Sequence, residues 1–174
     1  MANTKVLKII ITGEGGVGKT TLLHRFIEGK FIVDTRMTIG VEFFLKAITI
    51  HGKKLLLQIW DFGGQDRFRF LLKNYAKGAK GAIFMFDLTR PLTLENIGDW
   101  VEICRGEQPD LPILCVGSKT DLKDLITVEE ESLIEIRQKY KFFEYLKVSS
   151  KTGENVSLAF LLLAKEIANL QEKV

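Results

Sequence analysis

Cysteine and histidine are scarce in these 174 residues: Cys104 and Cys115, His24 and His51 are the whole supply. Both cysteines stand among apolar residues, which reads as buried reduced thiols rather than a bridge, and neither makes a zinc pattern with the histidines. Charge of one sign is scarce too. Twenty-five Lys and Arg against 22 Asp and Glu leave a formal +3, too small and scattered to make nucleic acid or an anionic membrane the main partner. No uninterrupted apolar run reaches the ~18 residues of a membrane helix, and the N-terminal Met-Ala-Asn-Thr-Lys lacks a signal-peptide pattern. Internal repeats, low-complexity segments and linkers are missing. What is present, 46% apolar and 27% charged residues, suits a folded globular chain and excludes disorder and collagen-like repeats. The length suits one domain spanning 1–174, able to bury about 70% of its unfolded surface without a metal or disulfide. The expectation is a single cytoplasmic domain.

Apolar β-rich runs alternate with amphipathic helical patterns along the chain. Residues 5–12, 41–50, 53–60, 81–87, 112–117 and 142–148 read as strands, and 41–60 as a hairpin broken at His51-Gly52. Helical patterns run to about residue 28 and over 66–77, 93–105, 128–139 and 156–170. This order predicts a six-stranded, mostly parallel α/β sheet with helices on both faces and one antiparallel edge strand. Ligands of such sheets bind beyond the carboxyl ends of the strands, so chemistry is expected at the strand exits.

The first exit reads Gly13-Glu14-Gly15-Gly16-Val17-Gly18-Lys19-Thr20, a complete GxxxxGK[ST]. Its glycines let backbone N–H groups wrap phosphates, with the following helix lending its N-terminal dipole. Lys19 would reach the β- and γ-phosphates, and the Thr20 hydroxyl would bind Mg²⁺. The third exit reads Trp60-Asp61-Phe62-Gly63-Gly64-Gln65. There Asp61 suits a carboxylate holding Mg²⁺ directly or through a water, the Gly64 N–H a γ-phosphate contact, and Gln65 the orientation of an attacking water. On its own this stretch is also a common turn. The fifth and sixth exits read Gly117-Ser118-Lys119-Thr120-Asp121 and Val148-Ser149-Ser150-Lys151-Thr152-Gly153. One carboxylate, Asp121, can accept both the N1–H and the N2 amine of guanine, a pair that adenine lacks. Lys119 and Lys151 would lay their stems along the base with their charges outside, and the Ser150 N–H would bind the guanine carbonyl. The alternative for Ser149-Ser150 is a helix cap.

With these motifs in this order, the chain resembles the small GTPases of the Ras superfamily over about residues 6–170, nearest the Rab branch. Thr38-Ile39-Gly40-Val41-Glu42-Phe43 is similar to the Rab switch I, and Trp60-Asp61 with Gly64-Gln65-Asp66-Arg67-Phe68 to its switch II. The resemblance implies a phosphate-loop GTPase fold and a switch that hydrolyses GTP to GDP with Mg²⁺, of signalling or vesicle-trafficking type. It implies Thr38 as a second Mg²⁺ ligand beside Thr20 and Asp61, and Phe31 packed edge-on to the base. Gly15, Gly16, Val17, Gly18, Lys19, Thr20, Thr21, Phe31, Thr35, Thr38, Gly64, Ser118, Lys119, Asp121, Ser149, Ser150 and Lys151 are the expected nucleotide contacts, with Gln65 and Lys19 catalytic. Phe43, Trp60 and Tyr75 fall where the family presents its aromatic triad to effectors; exchange factors and activating proteins are the other implied partners, and the chain is expected to be a monomer.

The sequence departs from the family pattern in four places. Ser118 replaces the usual Asn, and a hydroxyl bridges less than an amide, so faster nucleotide exchange is expected, slowed by Ser118→Asn. Gly63 replaces the Rab alanine, as in Arf and Gα proteins, and two adjacent glycines should loosen the backbone. Thr35 stands where Rabs commonly carry a Tyr lid. Nearby Arg36 reads as a solvated loop residue, with an arginine finger in cis as the lesser alternative. Finally, the terminal Gln171-Glu172-Lys173-Val174 has no cysteine to prenylate and Ala2 is no myristoylation glycine, so no lipidation site is read here. The alternative function is a GTP-loaded scaffold with little hydrolysis; a phosphate-loop kinase or ATPase ranks third.

Overall fold

The protein is described by a computed structural model covering residues 5–33 and 36–172. The strands are β1 (Lys5–Thr12), β2 (Val41–Ile50), β3 (Lys53–Phe62), β4 (Gly81–Asp87), β5 (Ile113–Ser118) and β6 (Glu144–Lys147). They form one sheet in the order β2-β3-β1-β4-β5-β6. All neighbours are parallel except β2 and β3, the antiparallel hairpin that leaves β2 at an edge. The helices are α1 (Lys19–Glu28), α2 (Arg69–Ala76), α3 (Ile97–Arg105), α4 (Glu130–Lys139) and α5 (Val156–Glu172). None among the described residues is long and apolar enough to cross a membrane.

The period-two alternation of strand side chains divides the apolar residues between two cores. On one face Leu7, Ile9 and Ile11 of β1, with Ile83 and Met85 of β4, pack under α1 and α5. There Phe26 stacks on Phe160 with ring centroids 3.9 Å apart. On the other face Ile10, Phe84, Phe86 and Cys115 pack under α2, α3 and α4, around the fully buried Trp100. Both cysteines are free and buried. Burial pushes the Cys104 thiol up to about 12, and Cys115 further.

Several boundaries differ from the sequence reading, each for an identifiable reason. β3 runs two residues past Trp60 because Val41 pairs with Phe62. The helical stretches expected over 66–77 and 93–105 both open with a 3₁₀ turn, Asp66–Phe68 and Pro91–Leu94; the second has Pro91 at its start, where its missing N–H costs nothing. The last strand is shorter than 142–148 because the Phe142 N–H closes α4 by donating to Arg137 O (3.0 Å), while its ring stacks near Phe84. At the carboxyl edge, β5 extends to Ser118, which sits directly beside Asp87 of β4 in the parallel register.

Candidate functional site

The glycine loop between β1 and α1 forms the floor of a cleft of about 630 Å³ at the carboxyl edge of the sheet. From this loop and the first turn of α1 come Gly15, Gly16, Val17, Gly18, Lys19, Thr20 and Thr21. The segment before β2 adds Phe31 and Thr38, and the exit of β3 adds Gly64. Ser118, Lys119 and Asp121 come from beyond β5, and Ser150 and Lys151 from beyond β6. Four strand exits that are far apart in sequence thus converge on one cavity. Ile32, Val33, Arg36, Met37 and Leu122 complete its wall. Thr35 lies outside the described residues.

Lys19 is buried on the cleft floor, where its ammonium donates to Gly13 O and Glu14 O at 2.8 Å each. Burial lowers its pKa to about 8, with Asp61 and Glu14 opposing the shift. α1 starts at Gly18 without a side-chain cap, so its first N–H groups are left for a ligand.

Beside Lys19 the Thr20 hydroxyl donates to Asp61 Oδ2 (2.5 Å) and lies 2.7 Å from the Thr38 hydroxyl. Asp61 is fully buried, and its Oδ1 has no partner. Burial pushes its pKa up to about 6, against the pull of Lys19 and the Thr20 hydrogen bond. An orphaned carboxylate oxygen beside two hydroxyls is a hard oxygen donor set, and it fits Mg²⁺. No cluster of three His, Cys, Asp or Glu occurs among the described residues, so these protein oxygens alone make a partial shell that phosphate oxygens and water would complete.

The sign of the Asp61 shift gives a test. A carboxyl whose pKa rises on folding, here from 3.8 to about 6, contributes stability that is complete below the lower value and lost as pH climbs through the upper one. In nucleotide-free protein, Asp61→Asn is therefore expected to stabilise the chain relative to wild type more at about pH 7 than at about pH 5. Urea midpoints of the two chains at both pH values check this; a pH-independent difference would contradict it.

Asp121 and its support lie at the other end. Ser149 does not line the cleft: it is buried behind Asp121, and its hydroxyl donates to Asp121 Oδ1 at 2.6 Å. From there it fixes the orientation of the carboxylate. Lys119 lines the cleft, but its charge is not outside as expected. Its ammonium lies 2.6 Å from Asp87 Oδ2 and donates to Gly16 O at 3.3 Å. Ser118 reaches further than expected, with its hydroxyl 2.7 Å from Val17 O and 2.9 Å from Phe86 O. One proton serves both carbonyls, so the tie to the glycine loop exists but is shared.

The adjacent glycines of the β3 exit are held rather than loosened. Gly63 N–H donates to Gly40 O (2.8 Å), and a Cβ on Gly63 would stand 2.5 Å from Thr38 O. A Cβ on Gly64 would stand 2.2 Å from Gly15 N. Gln65 turns away from the cleft, its amide oxygen accepting from Arg67 Nε at 2.9 Å. Phe43, Trp60 and Tyr75 do meet, Phe43 edge-on to Trp60 at 5.4 Å between centroids and Tyr75 at 5.8 Å from it. They border a groove of about 230 Å³ that also includes Phe68 and Leu71.

The sequence reading passed over two residues. Glu14, a free position of the glycine motif, has Oε1 shared by Arg69 Nη2 (2.7 Å), Trp100 Nε1 (2.9 Å) and Asn96 Nδ2 (3.2 Å). A carboxylate inside a glycine loop was the available signal. Asp87 stands at the exit of β4, a strand end like the others, and is fully buried.

A glycine loop between the first strand and first helix, with a lysine on its floor and loops from three other strand exits closing over it, defines the phosphate-loop nucleotide-binding class. The Ras family model matches residues 8–169, and the chain belongs to that family. It is a Rab-like, GTP-binding small GTPase. Over 163 residues it is 36% identical to Ras-related protein Rab-19 of Xenopus laevis, covering 93% of this chain and 76% of the relative. It is 35% identical over 169 residues to Ras-related protein Rab11E of Lotus japonicus, covering 97% and 77%. For Ras-related protein RABA4d of Arabidopsis thaliana the identity is 37%, covering 97% and 76%.

Proposed function

We propose that the protein is a molecular switch that hydrolyses GTP to GDP and phosphate. The observation that carries this is the convergence of Asp121, a carboxylate suited to guanine, with the Lys19 loop in one cavity. Lys19 and the N–H groups of 16–20 would hold the β- and γ-phosphates and counter the charge that grows on them as the bond to the leaving oxygen lengthens. Thr20, Thr38 and Asp61 would hold Mg²⁺, which when bound supplies Lewis-acid neutralisation of phosphate oxygens. The Gly64 N–H would contact the γ-phosphate, and Gln65, once rotated inward, would orient the attacking water. Asp121 and Ser150 would select the base, with Phe31, Lys119 and Lys151 around it. Thr38 and Gly64 on the γ-phosphate would order the two switch loops, and loss of phosphate would release them. The Phe43, Trp60 and Tyr75 groove would then be presented to effectors in one state and altered in the other, with exchange factors and activating proteins acting on the same loops.

Without an arginine supplied by a partner, turnover is expected to be slow, about 10⁻⁴–10⁻² per second. A second reading, a GTP-loaded scaffold with little hydrolysis, is favoured by the Gln65 amide held outside the cleft by Arg67. One experiment separates them. Purified protein loaded with GTP in Mg²⁺ is followed by chromatography of the bound nucleotide over hours, with ATP as competitor during loading. Conversion to GDP that Gln65→Leu abolishes, with ATP failing to compete, is the expected result. GTP retained unchanged would establish the scaffold, and equal competition by ATP would overturn the guanine reading.

A further inference from the structure

The tie between the guanine-side loop and the phosphate loop is shared at Ser118, because one hydroxyl proton serves both Val17 O and Phe86 O. A second tie starts next to it. Asp87 is the register partner of Ser118, and its carboxylate is fully buried. Oδ1 accepts the Thr89 N–H (2.9 Å) and hydroxyl (2.7 Å). Oδ2 meets two cations, Lys119 Nζ at 2.6 Å and Arg90 Nε at 3.0 Å. Each cation continues to the phosphate loop: Arg90 Nη2 donates to Gly15 O and Lys119 Nζ to Gly16 O, both at 3.3 Å. Two consecutive carbonyls of the loop therefore rest on two cations gathered by one carboxylate.

This has a directional consequence. In a planar trans peptide the C=O of one residue and the N–H of the next point in opposite directions. Holding Gly15 O and Gly16 O on one side fixes the Gly16 and Val17 N–H groups on the other. We propose that Asp87 and Arg90 are positioning residues of the nucleotide site, which aim those N–H groups at bound phosphate and supply the tie that a serine at 118 makes only in part. The proposal rests on the reading of the cleft as a guanine-nucleotide site. Arg90 suits the role because two separate nitrogens of one planar fork, Nε and Nη2, hold the carboxylate and the Gly15 carbonyl, a span that a lysine at this position would have to cover with one nitrogen.

The test is the dissociation rate of fluorescent GDP from the Mg²⁺-loaded protein, measured by chase with unlabelled GDP. The Arg90 side chain is half-exposed, so its removal leaves the core filled. Arg90→Ala is expected to speed release by about three- to tenfold, a charge-assisted hydrogen bond discounted for its exposure. Arg90→Lys should release at close to the alanine rate. In a Ser118→Asn background, where the amide has two protons for the two carbonyls, the Arg90→Ala effect should shrink to less than about twofold. Release from Arg90→Ala at the wild-type rate would overturn the inference, as would the same acceleration in both backgrounds, which is what a general loss of stability produces. Wild-type protein that retains no GDP would overturn the nucleotide reading itself, and this inference with it.

Discussion

Asp121→Asn is expected to lower the affinity for GDP by roughly 10²–10⁴-fold, the largest loss that a single base-side substitution should produce. The reason lies in how the carboxylate is held. Ser149 donates to Oδ1, so the group is oriented from behind and its remaining lone pairs face the cleft. Guanine offers two donors side by side, and a carboxylate is an acceptor at both oxygens. An asparagine amide turns one of those acceptors into a donor, leaving two N–H groups facing each other in a partly closed site. The same change should favour a base with a carbonyl in place of the N2 amine, so xanthosine diphosphate is expected to compete for the variant better than GDP does. Equilibrium competition with labelled GDP measures both effects. Unchanged GDP affinity would remove Asp121 from the base site.

Gly64→Ala is expected to slow single-turnover GTP hydrolysis by about 10²-fold while leaving GDP affinity little changed. The added Cβ would stand 2.2 Å from Gly15 N and 2.4 Å from Glu14 C, both backbone atoms with no rotamer by which to retreat. The β3 exit must then withdraw from the phosphate loop, which would put the Gly64 N–H out of reach of a γ-phosphate and keep Gln65 from rotating into the position proposed for it beside the attacking water. GDP has no γ-phosphate, so the contacts proposed for it with Lys19, the α1 N-terminus and Asp121 would survive the withdrawal. Rapid-quench measurement on GTP-loaded protein checks this. Hydrolysis at the wild-type rate in Gly64→Ala would show that the close packing of Gly64 on Gly15 does not serve the reaction.

Much of this was legible in the chain because the informative features are local. The 5–12 run, its glycines and Lys19-Thr20 lie within a single strand–loop–helix unit, and the alternation of apolar runs with helical stretches needs no tertiary knowledge. The strand-exit rule then pointed to Asp61, Asp121 and Ser150. What escaped depends on partners distant in sequence. Lys119 directs its ammonium inward because Asp87, 32 positions earlier, arrives beside it when β4 and β5 pair. Ser118 reaches the glycine loop because the same pairing fixes the height at which β5 ends. Gly63 looked like slack in the backbone until Thr38 O and Gly40 O were found against it, a contact that only the β2–β3 hairpin creates. Glu14 occupies a position where the motif allows any residue, and its partners Arg69, Asn96 and Trp100 come from α2 and the start of α3.

The Glu14 network also gives the protein an optical signal of its own. The chain has two tryptophans, and they contact different regions of the molecule. Trp100 is sealed in the core with its indole N–H on a carboxylate of the phosphate loop. Trp60 stands between Phe43 and Tyr75, with the Lys8 ammonium 4.4 Å from its ring centroid. The two indoles therefore emit from surroundings of different polarity and charge. A shift of the phosphate loop changes the hydrogen bond of one, and a shift of the switch loops changes the ring contacts of the other. Intrinsic fluorescence, without any attached dye, is therefore expected to respond both to a change at the phosphate loop and to a change at the Phe43–Trp60–Tyr75 groove.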